Sequence, residues 1–311
     1  MATVDVVTGA FSYTGSFIAR RLLAAGHEVR TLTNNPSPPS DVAGKVAASP
    51  LDFDDADGLV RSMRGADTLY NTYWIHSNYG AEAFAGAVRR SQRLFAAARE
   101  AGIRRLVHIS IANPTASGHP YYASKAALEE ALRSTGISYG IVRPTLVYGE
   151  GDVLINNMAW VLRHFPIFAI PGDGAYRLQP VHVDDVAAIA VATGLTGDNL
   201  TVDAAGPDIL RFDDLVRMLR LAVGSRAVLL KTAPALALVG ARAAGFIAGD
   251  ALLTREQLDD LQAELLISHE PARGAIRFTQ WLPQQASLGL RYASAKTRHQ
   301  PRLSPPARRS M

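Results

Sequence analysis

The chain has 311 residues, 48% hydrophobic and 19% charged, with a formal net charge of +4; it can bury a sizeable core as one large domain or a domain with a smaller lobe. It contains no cysteine, which excludes disulfides and thiolate metal sites. No basic segment followed by an apolar run and a small-residue cleavage site opens it, so no secretory signal is read and the cytoplasm is the expected compartment.

In chain order, "TVDVVTG" reads as a first strand, "SFIARRLLAAG" as a helix and "HEVRTLT" as a second strand. Between the first two lies "TGAFSYTG", in which Gly9, Ser12 and Gly15 keep the three-residue spacing of a glycine-rich turn. Backbone amides and a helix N-terminus at such a turn can receive a pyrophosphate. Gly15 lets the helix approach the strand closely, and Ser12, standing at the middle glycine position, brings a hydroxyl that can donate to a phosphate oxygen. The second strand ends in "LTNNPSPPS" without a carboxylate. Thr33, Asn34 and Asn35 are neutral donors there, which leans the cofactor toward NADP(H) over NAD; alternatively, the asparagines only shape the turn before Pro36. After a third strand, "PLDFDD" puts Asp52 and Phe53 either against an adenine edge and face, or at the surface as an acid beside a core aromatic.

"DTLYNTY" reads as a fourth strand and "FAGAVRRSQRLFAAAREAG" as a helix, with Phe84, Val88, Phe95 and Ala98 on one face, Arg89, Arg90, Arg93 and Glu100 largely outside it, and Gly102 as its stop. "RRLVHISI", the helix "KAALEEALRSTG" and the strand "SYGIVRP" follow. This alternation predicts an α/β fold with a parallel sheet and crossover helices. After Gly149 the pattern breaks into proline-containing loops, a strand at "NLTVDAAG" and helices around 211–222 and 251–267. The expected organisation is a nucleotide-binding domain over 1–149, a mixed region over 150–292 holding a substrate lobe and a late sheet strand at about 198–204, and a basic tail over 293–311.

That tail reads as a disordered, solvated end, and no nucleic-acid partner is expected. "APALALVGARAAGFIAG", residues 233–249, falls short of the ~20 residues of a spanning helix and is read as packed or pocket-lining, so no integral membrane segment is expected. In "PVHVDDVA", His182, Asp184 and Asp185 are read structurally, with Asp184 capping the next helix. His27, His164 and His299 have no partner pattern, and no metal is proposed.

With "TGAFSYTG", "PLDF", "RRLVHIS", "YYASK", "IVRPTLVYG" and "LQPVHVDDVA" in this order, the chain resembles the short-chain dehydrogenase/reductase superfamily. More narrowly it resembles the atypical extended members: NAD(P)-dependent epimerase/dehydratase-like proteins, relatives of the dinucleotide-binding accessory subunit of complex I, and nitrogen-regulator-like proteins. The likeness covers residues 3–205 well and the remainder loosely. It implies a Rossmann-like doubly wound parallel sheet with a smaller, mostly helical C-terminal lobe roofing the substrate. It also implies a Tyr-x-x-x-Lys pair, matched by Tyr121 and Lys125, as catalytic residues. The implied cofactor set is Gly9, Ser12, Tyr13, Thr14, Gly15, Thr33, Asn34, Asp52, Phe53, Thr72, Tyr73, Lys125 and Pro144. Four residues apart on a helix, Tyr121 and Lys125 share a face, whereas Tyr122 points about 100° away.

Two departures stand out. Ile111 occupies the position of the family's catalytic serine or threonine, unless Ser110, Thr115 or Ser117 is redeployed; an alternating strand sends Ser110 to the opposite face from Ile111. Where small residues usually lie beside the cofactor, this chain has "NTYW", and Asn71, Tyr73 and Trp74 either stack on a flat substrate or fill the cleft. The resemblance implies an NAD(P)-dependent oxidoreductase or epimerase-like enzyme, moving hydride to or from a carbonyl or alcohol carbon. The apolar stretch at 233–249 favours an apolar small-molecule substrate such as a quinone, a terpenoid or an aromatic carbonyl. The alternative is a non-catalytic NAD(P)-binding protein that senses redox state or supports an assembly.

Overall fold

A computed structural model of the chain describes residues 3–34, 41–75, 81–114, 118–248 and 254–293. The predicted alternation is realised as β1 (Val4–Thr8), α1 (Tyr13–Ala24), β2 (Glu28–Thr33), β3 (Ala47–Pro50), α2 (Ala56–Met63), β4 (Thr68–Asn71), α3 (Ala81–Glu100), β5 (Arg105–Ile109), α4 (Pro120–Arg133) and β6 (Ser138–Pro144). Then come β7 (Leu146–Tyr148), α5 (Leu154–His164), β8 (Ile167–Pro171), β9 (Arg177–Leu178), β10 (Pro180–His182), α6 (Val183–Leu195) and β11 (Leu200–Ala204). The chain continues through β12 (Leu210–Arg211), α7 (Phe212–Ala222), β13 (Val228–Thr232), α8 (Pro234–Ala248), α9 (Arg255–Gln262) and the short α10 (Phe278–Trp281).

Seven strands form one sheet in the order β11-β6-β5-β4-β1-β2-β3, with every pair parallel. The order reverses between β1 and β4, and the crevice beyond the strands' carboxyl ends at such a reversal is where open α/β sheets bind ligands. Helices cover both faces, which is why the central strands read as near-continuous apolar runs rather than alternating ones. On one face Leu59, Leu94, Leu106 and Leu128 join α2, α3 and α4 to the sheet. On the other Val7, Ile18, Val142 and Val186 join α1 and α6. A separate core built on Tyr148, Ile155, Leu215 and Phe278 holds the C-terminal lobe.

In α3, Phe84, Phe95 and Ala98 are buried while Arg89, Arg90 and Arg93 are exposed. Gly102, at a φ of 81°, closes that helix with its amide on the Arg99 carbonyl. Several local expectations need correction. α6 is capped by His182, whose Nδ1 accepts from the Asp184 amide. Asp184 instead makes a bidentate pair with Arg21 at 2.9 and 2.7 Å, tying α6 to α1. Asp185 accepts from the amides of Ala275 and Ile276. Strands β8 and β13, a parallel pair outside the main sheet, were not read from the sequence, because runs as short as "IFAIP" do not distinguish strand from buried loop. The helix expected at 251–267 is α9 and starts at a capping box on Thr254; residues 251–253 lie outside the described set. In α8, Ala237 is buried but Leu236 and Val239 are exposed, so the helix is not packed all round. Asn35, Thr115, Ser117, His299 and the tail from residue 294 also lie outside the described residues.

Candidate active site

The turn between β1 and α1 is built for close approach. Gly9 has a φ of 64°, a left-handed conformation that favours glycine, and a Cβ on it would meet Ser12 Oγ at 3.0 Å. A Cβ on Gly15 would be driven into the Gly9 carbonyl oxygen, so the close packing expected at Gly15 is present. The Ser12 hydroxyl donates to the Gly9 carbonyl at 2.6 Å, and the Ser12 amide does so at 2.7 Å. Ser12 thus has its hydroxyl engaged within the turn and stiffens it. It is the N-cap of α1 but makes no side-chain cap hydrogen bond, and no acid lies in the first turn. Tyr13, Thr14 and Gly15 form that first helical turn, which fits an anionic pyrophosphate. The Tyr13 side chain runs the other way: its hydroxyl lies 3.0 Å from where a Gly149 Cβ would be.

Toward the sheet edge, Thr33 is buried at the end of β2 and its carbonyl accepts the Leu51 amide at 3.2 Å, while Asn34 is exposed. Asp52 is exposed and accepts the Asp54 amide at 2.9 Å. Phe53 packs against Tyr73 with ring centroids 4.7 Å apart. The edge thus presents neutral groups at β2 and an aromatic pair between β3 and β4.

A buried polar strap crosses the carboxyl ends of β1, β4 and β5. Thr8 Oγ1 accepts from the Thr72 amide at 2.8 Å, Thr72 Oγ1 donates to the Thr8 carbonyl at 2.5 Å, and Asn71 Oδ1 accepts from the Tyr73 amide at 3.1 Å. Asn71 Nδ2 lies 3.0 Å from Nδ1 of fully buried His108. Burial, and next the Lys125 charge, hold the His108 imidazole well below its ordinary pKa, so the ring is neutral and accepts the Asn71 amide proton through Nδ1. Asn71 therefore belongs to the framework rather than to the cleft, and it fixes the backbone that carries Thr72, Tyr73 and Trp74.

Pro120 opens α4, a position where its missing amide costs nothing and its fixed φ suits the helix. Tyr121 and Lys125 then lie on one face, as their spacing predicts, and Trp74 meets both. Its ring is edge-on to Tyr121 at 5.7 Å, and the Lys125 ammonium sits 4.2 Å above its centroid. Its stacking partner is Phe84, at 6.0 Å and 16°. With its faces on Lys125 and Phe84, the indole fills the cleft beside the pair, one of the two outcomes left open by the sequence. Lys125 is only 3% exposed, and burial pushes its pKa down to about 7 against the opposing pull of the Glu129 carboxylate. Tyr122 is buried, and burial raises its hydroxyl's pKa, making it a weaker acid than an exposed tyrosine.

The hydroxyl question resolves against Ser110. Its Oγ donates to buried Glu129 at 2.7 Å, while Ile111 and Ala112 continue the extended chain, the Ala112 amide reaching the Pro144 carbonyl at 2.9 Å. Glu129 also takes a bidentate pair from Arg143 at 2.9 and 2.6 Å and a bond from Arg133 at 3.1 Å. Pro144 is buried at the end of β6 beside this network. Thr8, His108 and Glu129 were missed as site residues; Glu129 had a readable signal, lying four residues beyond Lys125 on the same helix face. Among the described residues no group of three histidine or acidic side chains is placed to hold a metal ion.

Residues 6–201 match the model of the NAD dependent epimerase/dehydratase family. The chain is similar to a ceramide reductase of Caulobacter vibrioides, 30% identical over 191 residues, 61% of this chain and 60% of that protein. It is 25% identical over 229 residues to the mitochondrial NADH dehydrogenase [ubiquinone] 1 alpha subcomplex subunit 9 of Arabidopsis thaliana, 70% of this chain and 57% of that one. The chain thus spans about 60% of the length of these two relatives. A 2-alkyl-3-oxoalkanoate reductase of Stenotrophomonas maltophilia is 25% identical over 307 residues, 86% of this chain and 92% of that one. Among solved structures, the Citrobacter sp. triphenylmethane reductase complexed with NADP(H) superposes with a TM-score of 0.73 at 20% identity, over 91% of this chain and 99% of that one, a likeness of fold. With 6–201 matched out of 311 residues, and with the sheet order and phosphate turn described above, the chain belongs to the NAD dependent epimerase/dehydratase family.

Proposed function

We propose that the chain is an NADP(H)-dependent oxidoreductase acting on a carbonyl or alcohol carbon of a small apolar substrate. What supports this reading most is that one helix, α4, beginning beyond the carboxyl end of β5, carries Tyr121 and Lys125 on one face, in a sheet whose first turn has a shape that fits a pyrophosphate. A nicotinamide nucleotide bound there would supply or accept the hydride. Gly9, Ser12, Tyr13, Thr14 and Gly15 hold its phosphates, and Thr33, Asn34, Asp52, Phe53, Thr72, Tyr73 and Pro144 line its path. The absence of a carboxylate at the end of β2 supports NADP(H) over NAD.

Tyr121 passes a proton to or from the substrate oxygen. Lys125, 5.9 Å from the centre of the Tyr121 ring, favours the phenolate when protonated and binds the nicotinamide ribose hydroxyls. Trp74, Phe84 and Tyr122 around Tyr121 are apolar company for the reacting carbon, which supports an apolar substrate over a sugar nucleotide. The reductase relatives, named for ceramide and for a 2-alkyl-3-oxoalkanoate, support the same class. Residues 1–149 carry the nucleotide and the lobe beyond them roofs the substrate, with 180–204 returning to the sheet.

The test is NADPH oxidation over a panel of apolar ketones, quinones and aromatic carbonyls. Tyr121→Phe keeps the ring and deletes the proton, so turnover should fall roughly 10²- to 10⁴-fold while calorimetry still detects NADPH. Equal rates for both proteins on a confirmed substrate would remove Tyr121 from the reaction. A second reading, a nucleotide-binding protein without turnover, is favoured by Lys125 lying under Trp74 and by Ser110 being engaged with Glu129. Stoichiometric NADPH binding with no oxidation across the panel would establish it instead.

A further inference from the structure

Two polar side chains packed between α3 and the sheet take no part in the proposed reaction. His108 of β5 is fully buried, and its Nε2 has no hydrogen-bond partner among the described residues. The Ser91 hydroxyl of α3 is equally buried and equally unpartnered among them. Buried polar atoms are paired almost everywhere, so an unpaired one calls for an explanation. Local spacing places both groups. Ser91 lies seven residues after Phe84 and four before Phe95, so the three share one face of α3. Phe84 meets Trp74 and Tyr121 with ring centroids 6.0 and 5.8 Å apart, and Phe95 meets His108 at 5.8 Å. Ser91 thus stands between the rings around Tyr121 and the His108 imidazole. Lys125 enters the same space from α4: its Nζ lies over Trp74 and donates at 3.4 Å to the carbonyl of Ile109, the residue after His108.

The backbone fixes where the protons lie. The Tyr73 amide can only donate, and it meets Asn71 Oδ1 at 3.1 Å, so Asn71 turns its Nδ2 toward His108 Nδ1, 3.0 Å away. Nδ1 therefore accepts, and a neutral ring that accepts at Nδ1 carries its proton at Nε2. An ammonium has no lone pair with which to accept that N–H, whereas an amine has one. A donor turned toward Lys125 thus favours the amine, because a hydrogen bond made to the neutral form works against the charged one. Burial already lowers the Lys125 pKa, to about 7, and the opposing pull comes from Glu129 on the same helix. That carboxylate is itself taken up by Ser110, Arg143 and Arg133. The other titratable neighbour is Tyr121, whose ring centre is 5.9 Å from Nζ, and on the buried face of α3 Phe84, Ser91, Leu94 and Phe95 bring no charge. Burial, and next the Lys125 charge, keep the imidazole itself from protonating.

We propose that His108 is a positioning residue for Lys125: held by Asn71, it turns its Nε2 proton toward the lysine and supports it as an amine. The ammonium then loses a proton to water, and the amine left behind accepts the Nε2–H. This rests on the reading of Tyr121 and Lys125 as the reacting pair. The test is the ring-nitrogen NMR spectrum of the full-length protein carrying isotope-labelled histidine, between about pH 6 and 10. His108 should stay neutral with its proton on Nε2, and the Nε2 resonance should shift in one step as Lys125 titrates, a step that Lys125→Met abolishes. The proposal is overturned if the proton sits on Nδ1, if the ring itself protonates in this range, or if the Nε2 resonance is indifferent to Lys125→Met. NADPH affinity, followed by calorimetry over the same range, reads the consequence: in the native protein it should fall several-fold as Lys125 loses its charge. His108→Gln offers an acceptor to Asn71 and a donor to Lys125 and should keep the native midpoint. His108→Leu lacks the donor and should raise the midpoint by about one pH unit, with thermal unfolding confirming that both variants are folded. A midpoint common to all three proteins, or one that falls in His108→Leu, overturns the proposal as well. Should the protein bind no NADPH, the cofactor reading falls, and the histidine spectra alone decide the role of His108.

Discussion

Burying the Lys125 ammonium works against the fold. Its native pKa of about 7 lies below that of an unfolded lysine, so between about pH 7 and 10 the unfolded chain holds the extra proton. Stability therefore rises with pH across that window, and the cost of burying the ammonium is fullest below it. Lys125→Met should raise stability by a few kcal/mol, on the order of 3, at about pH 6, with the gain shrinking toward pH 10; urea unfolding at the two pH values checks this, and a pH-independent difference would mean the ammonium is not desolvated. The Trp74 indole over Lys125 makes a second prediction. Nicotinamide ribose hydroxyls can reach the ammonium only if the indole yields, and a desolvated cation–π contact is worth about 2 kcal/mol. Trp74→Ala should therefore tighten NADPH binding by roughly 3- to 30-fold in calorimetry, and weaker binding would mean that Trp74 supports the cofactor instead. The Tyr121–Lys125 pair was readable through the family resemblance, with which the helical spacing of four agrees. The indole on top of it was not, since 47 and 51 residues of chain separate Trp74 from the pair and no spacing rule connects them.

α4 positions both residues, and Glu129 fastens α4 to the sheet. Burial works against its charge, but hydrogen bonds from Arg143 and Ser110, together with the Arg143 charge, outweigh it and hold the carboxyl below its ordinary pKa. A carboxylate with a lowered native pKa contributes stability that is present above the unfolded pKa of about 4.3 and is lost as pH falls through the native value. Breaking a buried pair by neutralising one partner strands the other. Glu129→Gln should cost about 3 kcal/mol at neutral pH in urea unfolding, with the difference from the native protein narrowing in acid; a cost below about 0.5 kcal/mol would place Glu129 among the surface pairs. The sequence reading placed a helix at "KAALEEALRSTG", whereas α4 starts at Pro120, and its anchoring comes from the bonds of Glu129 to Ser110 of the β5 end and Arg143 of β6. The short β8 and β13 escaped the reading because five residues carry no period long enough to tell strand from loop.

At the scale of the molecule, the lobe is fastened to the nucleotide-binding sheet around the start of α4. Asn113, at a φ of 52°, donates to the carbonyls of Leu265 and Ile267 at 2.9 and 2.7 Å. His119, the N-cap of α4, meets Asp260 of α9 at 2.5 Å. Only Leu258 of α9 is buried, so this polar contact carries much of the helix's attachment. Asp260→Asn should raise hydrogen exchange in α9 about tenfold while leaving the global unfolding midpoint nearly unchanged. A fall in global stability with unaltered α9 exchange would mean that α9 unfolds only with the whole chain.

The sequence alone determined the parallel α/β architecture through β6 and the place of the glycine-rich turn, because each depends on local periodicity or on spacing within one element, while the Tyr121–Lys125 pair came from the family resemblance. It also contained the two departures, Ile111 and "NTYW", since they are absences and substitutions at readable positions. Only the tertiary structure decided that α6 packs beside α1, that Ser110 is held by Glu129, that Asn71 joins β1 and β5 through Thr8 and His108, and that Trp74 covers Lys125. These are contacts between segments distant in sequence. Their strength comes from desolvation and from geometry between elements, which no single stretch of the chain encodes.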